Sequence, residues 1–391
     1  MVSRSPRFHL WCPNLFNFKG GIQVYSAYFL QALQDLYPQA SYDIFLMHDI
    51  DTSPHVPYLP GTQFHFAGQY PSSIRNPVFA AQLIGQTIRH RPDLIITTHL
   101  NFTPVAHWLK RLLGIPFWTI AHGVEAWDIQ RSAIKNALHS AECILAVSQY
   151  TRNRLLDEQK LDPTQISLLP NTVDTTRFQI AAKPNHLLQK YGLTPEQPII
   201  LTVSRLCSTE SYRGYDKVLE ALPMIRQFIP NVHYLIVGKG DDQARLERYI
   251  AQLNLQDSVT LAGFVPDKEL CDYYNVCNVF AMPSKLEGFG IVYLEALACG
   301  RPVLGGNQDG AIDALCQGDL GVLVNPDDAE EIAKNLIQIL QGQHLNRTLY
   351  QPEILRQRMI EHYGFSQFRD NLTKHLNDFF TVSNSLLSSN P

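Results

Sequence analysis

The sequence predicts an α/β protein of two Rossmann-like domains, each a doubly wound parallel sheet with helices on both faces. Three observations support this fold class. Short apolar segments alternate with helix-length segments along almost all of the 391 residues. The apolar segments are continuous, which is typical of parallel strands buried on both faces. The alternation pauses once, at 168–198, where proline, asparagine and threonine are frequent and no long apolar run occurs.

Eleven apolar segments are predicted strands. They lie at 8–13, 43–48, 93–99, 116–123 and 143–148, and then at 198–204, 232–238, 258–264, 278–284, 302–306 and 321–326. Near the end, 366–380 carries large apolar residues at helical spacing, which predicts an amphipathic helix that packs back on the fold. We therefore expect an N-terminal domain at 1–175, a linker at 176–195, a second domain at 196–362, and a closing helix with its tail at 363–391.

Composition excludes several classes of protein. Hydrophobic residues make up 45% and charged residues 17%, an ordinary balance for a folded chain. The net charge of -4 gives no signature of nucleic-acid binding. The seven cysteines are widely spaced without a CxxC pair, which favours a reducing compartment. The sequence shows neither a signal peptide nor about 20 consecutive apolar residues, so we expect a cytoplasmic protein. Peripheral contact with the inner face of a membrane is compatible with this.

A glycine-rich junction between a strand and a helix is the first candidate site. The predicted strand at 278–284 ends just before EGFGIVYLEALACG, in which a helix is expected to begin near Gly290. Four amides would point out of its first turn, those of Gly288, Phe289, Gly290 and Ile291. Helix N-termini bind anions through such amides and the helix dipole, and glycine lets a phosphate approach closely.

Two glutamates, Glu287 and Glu295, bracket this junction. Glu295 follows Ile291 and Val292 at helical spacing, so it is expected on the apolar stripe of the helix. A carboxylate there needs hydrogen-bond donors, and a ribose diol would supply two. The simpler alternative is that Glu287 only favours the helix N-terminus by its charge and that Glu295 pairs with an internal arginine. The combined pattern is more specific than either glutamate alone.

Other candidate residues also follow predicted strands, at the sheet edge where such folds bind ligands. Arg205 and Arg213 lie in SRLCSTESYRGYD, and two guanidinium groups suit a diphosphate. His122 in HGVEAW could donate to a substrate hydroxyl or stabilise charge, although a lone histidine is more often structural. Gly20 and Gly21 lie between the first strand and the first helix. Neither they nor VGKGDDQ form GxGxxG, so the chain does not match a dinucleotide-binding enzyme.

Taken together, these segments resemble the retaining glycosyltransferases of glycosyltransferase family 4, which have the GT-B fold of two facing Rossmann-like domains. The matching pieces are GGIQ, HGVEAW, SRL with RGYD, and EGFGIVYLEALACGRPV, and they extend over essentially the whole chain. The last piece carries the E-x7-E motif of the family. In the family the second basic residue is usually lysine, where this chain has Arg213; Lys217 or Lys239 is the alternative if Arg213 does not reach the phosphate.

The resemblance implies a role for each candidate residue. Glu287 would hold hydroxyls of the donor sugar and Glu295 the ribose. Arg205, Arg213 and the amides of 288–291 would bind the diphosphate, and His122 would contact the sugar from the other domain. Backbone near Val265 would read the base. Gly20 and Gly21 would approach the donor phosphates or the acceptor.

The implied reaction transfers a hexosyl unit from a UDP- or GDP-sugar to a glycan or lipid-linked acceptor, in polysaccharide, glycolipid or cell-envelope glycan synthesis. The resemblance implies no cofactor and no metal, and we see no DxD pair suited to a cation. Two other classes compete with this interpretation. A sugar-nucleotide 2-epimerase shares the fold, and a non-catalytic module could bind a nucleotide sugar without turnover.

Overall fold

The computed structural model describes residues 5–16, 20–51 and 60–388. The chain packs into two compact units. Unit 1 contains the residues up to Asn171 together with those from Ser366 on, and unit 2 is Thr172–Phe365. No helix in the described ranges combines the length and the apolar character that crossing a membrane requires.

Unit 1 is built on a seven-stranded parallel sheet. Its strands are β1 (Arg7–Cys12), β2 (Ser41–Leu46), β3 (Thr62–Phe66), β4 (Leu94–Thr97), β5 (Phe117–Ala121), β6 (Cys143–Ala146) and β7 (Ile166–Leu168). They lie in the order β3-β2-β1-β4-β5-β6-β7, and every neighbouring pair is parallel. Its helices are α1 (Gly21–Leu36), α2 (Ser72–His90), α3 (Thr103–Leu113), α4 (Ser132–Ser140) and α5 (Gln149–Gln159).

Unit 2 is built on a six-stranded parallel sheet. Its strands are β8 (Ile199–Val203), β9 (His233–Val237), β10 (Val259–Gly263), β11 (Val279–Met282), β12 (Val303–Gly306) and β13 (Val322–Val324), in the order β10-β9-β8-β11-β12-β13. Its helices are α6 (Asn185–Tyr191), α7 (Tyr215–Phe228), α8 (Gln243–Gln252), α9 (Leu270–Val276), α10 (Ile291–Ala298), α11 (Ala311–Ala314), α12 (Ala329–Leu340) and α13 (Pro352–Tyr363). Strands β9 and β11 are buried throughout, as expected for a sheet covered on both faces.

All eleven predicted strands are present, so the predicted α/β class with two parallel sheets is confirmed. Two strands were missed, β3 and β7, and both lie at an edge of the unit 1 sheet. Strand β3 is partly exposed along its length, and β7 has only three residues. Neither contains the continuous apolar run by which we recognised the central strands.

The last helix, α14 (Phe365–Ser388), packs on unit 1 although it follows unit 2 in the chain. The ring of Phe368 meets that of Tyr25 at 5.4 Å between centroids. The ring of Phe379 meets that of Trp118 at the same separation of 5.4 Å. The closing helix is therefore confirmed. The segment 176–195, predicted as a linker with a short helix, contains α6 and packs within unit 2.

Candidate functional site

The candidate site of unit 2 lies where the strand order of its sheet reverses. After β8 the chain adds β9 and β10 on one side, and then returns to add β11, β12 and β13 on the other. Strands β8 and β11 are therefore neighbours, and the loops after them lie side by side at the carboxyl edge. In doubly wound sheets this switch point is the place where ligands bind. Arg205 lies two residues after the end of β8, and Glu287 lies five residues after the end of β11.

The loops after β8 and β11 are joined by their backbones. The amide of Lys285 donates to the carbonyl of Tyr212 at 3.0 Å. A Cβ atom at Gly214 would lie 2.1 Å from the carbonyl oxygen of Pro283, so only glycine allows this approach. The close packing brings the side chain of Arg213 to the loop that carries Glu287.

Arg213 lies between two carboxylates. Its Nη1 donates to Glu287 Oε2 at 2.9 Å, and its Nε donates to Glu210 Oε2 at 2.8 Å. The other oxygen of Glu210 pairs with Arg205 Nη2 at 2.6 Å. Burial opposes the charge of Arg213, but Glu287 and Glu210 hold its pKa above the usual range. The structure thus brings both predicted arginines and Glu287 together through Glu210, which sequence reasoning missed.

A second missed residue, Asp309, holds the loop before α10 in place. This buried carboxylate accepts from the amide of Glu287 at 2.7 Å and from the hydroxyl of Ser284 at 2.7 Å. Its other oxygen accepts from the amide of Ala311 at 2.9 Å. Burial raises the pKa of Asp309 to about 7, against these hydrogen bonds. Its position after a predicted strand, in an Asp-Gly pair, is the signal by which the sequence could have indicated it.

Helix α10 begins at Ile291, directly after Gly290, which has a φ of 91°. A Cβ atom at Gly290 would lie 2.4 Å from the ring of Tyr293, so a side chain there is excluded by both strain and space. Within the described part of the chain, the amides of residues 288–291 donate no hydrogen bond to another protein group. The four amides predicted to bind an anion are therefore available. The side chain of Phe289 is buried against the ring of Tyr363.

Glu295 lies in the second turn of α10 and meets a buried tyrosine. Tyr274 Oη donates to Glu295 Oε2 at 2.6 Å. Burial raises the pKa of Glu295 to about 7, although the hydrogen bond from Tyr274 favours the charged form. Among the described residues no arginine forms an ion pair with Glu295. The ion pair of the alternative is therefore not formed among the described residues, although the charge of Arg177 also acts to lower the pKa of Glu295. Glu287 does have an arginine partner, Arg213.

Val265, which is predicted to lie near the base, follows β10. Lys239, one of the two alternatives to Arg213, follows β9. Val265 is buried after β10, next to Phe264, whose side chain is 64% exposed. Lys239 Nζ lies 4.8 Å from the centroid of the Phe264 ring. Lys217, the other alternative to Arg213, pairs with Glu220 Oε2 at 2.6 Å. The residue that pairs with Glu287 is thus Arg213 and not one of the two lysines.

In unit 1, His122 follows β5, and one of its two ring nitrogens has a hydrogen-bond partner. Its Nε2 lies 3.1 Å from the carbonyl oxygen of Thr98, which can only accept. Burial, followed by the nearby His99, lowers the pKa of His122 to about 3. The ring is therefore neutral with its proton on Nε2, so Nδ1 is a hydrogen-bond acceptor. We expected His122 to donate to a hydroxyl or to stabilise charge; the geometry favours acceptance instead.

The predicted glycine pair lies at the start of α1. Gly20 is the extended residue before the helix and Gly21 is its first residue, while 17–19 lie outside the described residues. The preceding loop is held by Asp49, a buried residue after β2 that accepts from the amides of Leu15 and Phe16. Both candidate regions of the chain, in unit 1 and in unit 2, thus lie at the carboxyl edge of their own sheet.

Two family models match the chain in complementary parts. The model described as Glycosyltransferase Family 4 matches residues 19–177, and the one described as Glycosyl transferases group 1 matches residues 185–361. A GDP-mannose-dependent alpha-(1-6)-phosphatidylinositol monomannoside mannosyltransferase from Mycolicibacterium smegmatis is 33% identical over 226 residues. That alignment covers 54% of this chain and 57% of the relative, so the chain matches little more than half of the relative's length.

Two solved structures share the fold over nearly the whole chain. Sucrose-phosphate synthase from Thermosynechococcus elongatus superposes with a TM-score of 0.79 at 22% identity, covering 96% of this chain and 100% of that one. Anabaena HepE in complex with UDP superposes with a TM-score of 0.76 at 18% identity, covering 95% and 100%. The predicted GT-B fold is confirmed. Because both family models and the fold agree with the motifs along the sequence, this chain belongs to glycosyltransferase family 4.

Proposed function

We propose that this chain transfers a hexosyl unit from a nucleotide-diphosphate sugar to an acceptor hydroxyl, with retention of the anomeric configuration. The observation that carries the proposal is the group at the switch point of unit 2. There Arg205, Arg213 and the available amides of 288–291 are assembled beside Glu287. Guanidinium groups and helix amides bind phosphate oxygens, and they stabilise the charge that develops on a departing diphosphate.

In this proposal each of the two glutamates binds a different part of the donor. Glu287 lies before α10, where it would accept hydrogen bonds from sugar hydroxyls. Glu295 lies in the second turn, where it would accept from the ribose diol while Tyr274 holds its other side. An ionised carboxylate accepts such hydrogen bonds more strongly than a neutral group does.

The proposed chemistry uses no metal and no cofactor. Negative charge on the leaving diphosphate is met by the arginines and the helix amides. The proton of the acceptor hydroxyl passes to the leaving phosphate, or a short-lived oxocarbenium pair forms first; both routes use the same residues. In either route the neutral ring of His122 would accept a hydrogen bond from the donor sugar at Nδ1.

We assign acceptor recognition to unit 1, where a cavity of about 390 Å³ opens at the carboxyl edge of the sheet. Its floor is apolar and its rim is polar. The floor contains Phe79, Leu83, Phe102 and Val105, and the rim contains His48, Asn76, His99, Asn101 and Arg131. Polar side chains around an apolar floor suit a polyol ring, whose hydroxyls need partners while its carbon face packs on apolar groups.

The mycobacterial relative suggests the first donor and acceptor to test. Its name specifies GDP-mannose as donor and a phosphatidylinositol mannoside as acceptor. We therefore propose a GDP- or UDP-linked hexose as donor, with GDP-mannose tested first, and a glycan or lipid-linked acceptor. A lipid-linked acceptor would place the reaction at the inner face of a membrane, with the protein in the cytoplasm.

A thermal-shift panel of nucleotide sugars tests the proposal. A ligand at about 100 times its Kd adds about 2.7 kcal/mol to the free energy of unfolding, a clear shift. The donor so found is then incubated with and without acceptors, and release of nucleotide diphosphate is measured. Release that requires an acceptor supports the proposal. A sugar epimerised at C2 without any acceptor would instead indicate an epimerase, and binding without turnover for every acceptor class would indicate a binding module.

A further inference from the structure

Three polar residues meet on one face of the unit 1 sheet, outside the site described above. His9 lies in β1, Asp43 lies opposite it in β2, and His90 is the last residue of α2. His9 and Asp43 are buried, and the His90 side chain is 19% exposed. Their nearest ligand atoms all lie within 4.8 Å of one another. Burial of polar and charged side chains costs free energy unless a hydrogen bond, an ion pair or a bound metal offsets it.

The two ring nitrogens face the same carboxylate oxygen. His9 Nε2 lies 3.4 Å from Asp43 Oδ2, and His90 Nδ1 also lies 3.4 Å from it. Within the described residues neither nitrogen has a hydrogen-bond partner, although both are buried. A charge-assisted hydrogen bond would draw each pair to about 2.7–2.9 Å. Both separations are longer than that, so neither pair is a short charge-assisted hydrogen bond.

Two of the three separations, those from each histidine to Asp43, match the spacing of ligands on a tetrahedral metal ion. Zinc binds histidine nitrogen and carboxylate oxygen at about 2.0–2.2 Å. Tetrahedral angles then place neighbouring ligand atoms about 3.3–3.5 Å apart. The observed value of 3.4 Å for both histidine–aspartate pairs lies in this range.

Neighbouring side chains form hydrogen bonds to two of the three residues, as the residues around metal ligands commonly do. Thr87 Oγ1 lies 3.3 Å from His9 Nδ1 and accepts from it in the tautomer that leaves a lone pair on Nε2. His65 Nε2 lies 2.9 Å from Asp43 Oδ1, and its ring stacks on Phe45. Such contacts orient a histidine or carboxylate towards a metal.

We propose that His9, Asp43 and His90 bind a divalent transition-metal ion, zinc in the first instance, with Thr87 and His65 orienting the ligands. The partly exposed His90 leaves a fourth position for water. The ion ties β1 and β2 to the end of α2, so its role is to stabilise unit 1. The site lies within the sheet and not at its carboxyl edge, so it takes no part in the proposed transfer.

Zinc content and zinc affinity test this site. Tag-free protein purified without chelator should contain about one zinc ion per chain by elemental analysis. Stripped protein should take up zinc in competition with a chromophoric chelator, and its Tm should rise until one equivalent is bound. Cobalt should give the intense visible absorption of a tetrahedral site. These measurements use the unaltered chain, so they do not depend on a variant that folds.

His90→Gln should remove the zinc and the zinc-dependent rise in Tm. The matched control is His139→Gln, which changes an exposed histidine on α4 of the same unit and should keep both. The proposal is overturned if the unaltered protein binds no zinc or cobalt under these conditions. It is also overturned if His90→Gln binds zinc as tightly as the unaltered chain.

Discussion

Arg213 and Glu287, 74 residues apart in sequence, form a hydrogen-bonded ion pair at 2.9 Å between Nη1 and Oε2. In our proposal the first binds phosphate and the second binds sugar hydroxyls, so each is the other's partner before a donor arrives. The pair fixes the two side chains relative to each other. Because Glu210 also contacts Arg213, the guanidinium can turn towards phosphate and remain paired.

Arg205→Ala should weaken the binding of a nucleoside diphosphate roughly ten- to hundredfold, since a charge-assisted hydrogen bond contributes about 1.5–3 kcal/mol. The free nucleoside lacks the phosphates, so its affinity should stay nearly unchanged. Calorimetric titration of both ligands measures the difference. Arg248→Ala, at an exposed arginine on α8, is the control. Equal weakening of both ligands by Arg205→Ala would show that Arg205 is structural.

Glu295→Gln and Glu287→Gln should affect different parts of the donor. Glu295→Gln should weaken the free nucleotide and the nucleotide sugar alike, because both contain the ribose. Glu287→Gln should leave nucleotide affinity nearly unchanged and chiefly lower kcat, because only the sugar contacts it. Titration of free nucleotide into both variants decides the assignment. The opposite pattern would exchange the two roles, and unfolding of both variants would mean that the acids serve the fold.

Nucleotide affinity should rise with pH through about 7 in the unaltered protein, because burial raises the pKa of Glu295 to about 7 and only its ionised form accepts from both ribose hydroxyls. Glu295→Gln should lose this dependence and keep only that of the nucleotide phosphate.

The raised pKa of Glu295 has a second consequence, which concerns the stability of the fold. In the unfolded chain Glu295 has a pKa near 4.5 and loses its proton at a lower pH than in the folded state. The free energy of unfolding, relative to that of Glu295→Gln, should therefore fall as the pH rises from about 4.5 to 7.

The pH dependence of both quantities is measured by calorimetry and by denaturant unfolding at each pH. A wild-type profile parallel to that of Glu295→Gln throughout would contradict the raised pKa. If only the stability difference appears, the residue titrates as described but does not contact the ribose.

Asp309→Asn should lower the free energy of unfolding by about 1–3 kcal/mol. The side-chain NH2 group of asparagine would face an N–H or O–H group that now donates a hydrogen bond to the carboxylate. The loop that presents Glu287 should also loosen, so turnover should fall more than donor affinity. Urea unfolding and steady-state kinetics measure the two effects. Asp370→Asn, an exposed change on α14, should alter neither. Unchanged kinetics in a destabilised Asp309→Asn protein would show that the loop does not need this anchor.

Excess EDTA should leave turnover intact, because arginines and helix amides take the place of a cation at the diphosphate. The assay must be run below the Tm of metal-stripped protein, since zinc loss from unit 1 is expected to lower that temperature. Restoration of a lost activity by Mg²⁺ or Mn²⁺ would contradict metal-free transfer. Restoration by zinc alone would trace the loss to the cluster of His9, Asp43 and His90.

The sequence predicts the central strands and the helix after β11 because these are local patterns of apolar residues and glycines. The same patterns indicate Glu287, Glu295, Arg205 and Arg213 as candidates. They cannot show that Arg213 contacts Glu287, since that pairing depends on the packing of two loops. Tyr274, which donates to Glu295, was missed for the same reason. The proton position on His122 likewise depends on the carbonyl of Thr98, a group that no side-chain pattern reveals.

The return of α14 to unit 1 has a consequence for synthesis on the ribosome. Residues up to Asn171 emerge before unit 2, but Trp118 and Tyr25 lack their partners Phe379 and Phe368 until α14 has been translated. Unit 2 is continuous in sequence, so it can complete its own core earlier. The first unit to be made is therefore the last to be finished.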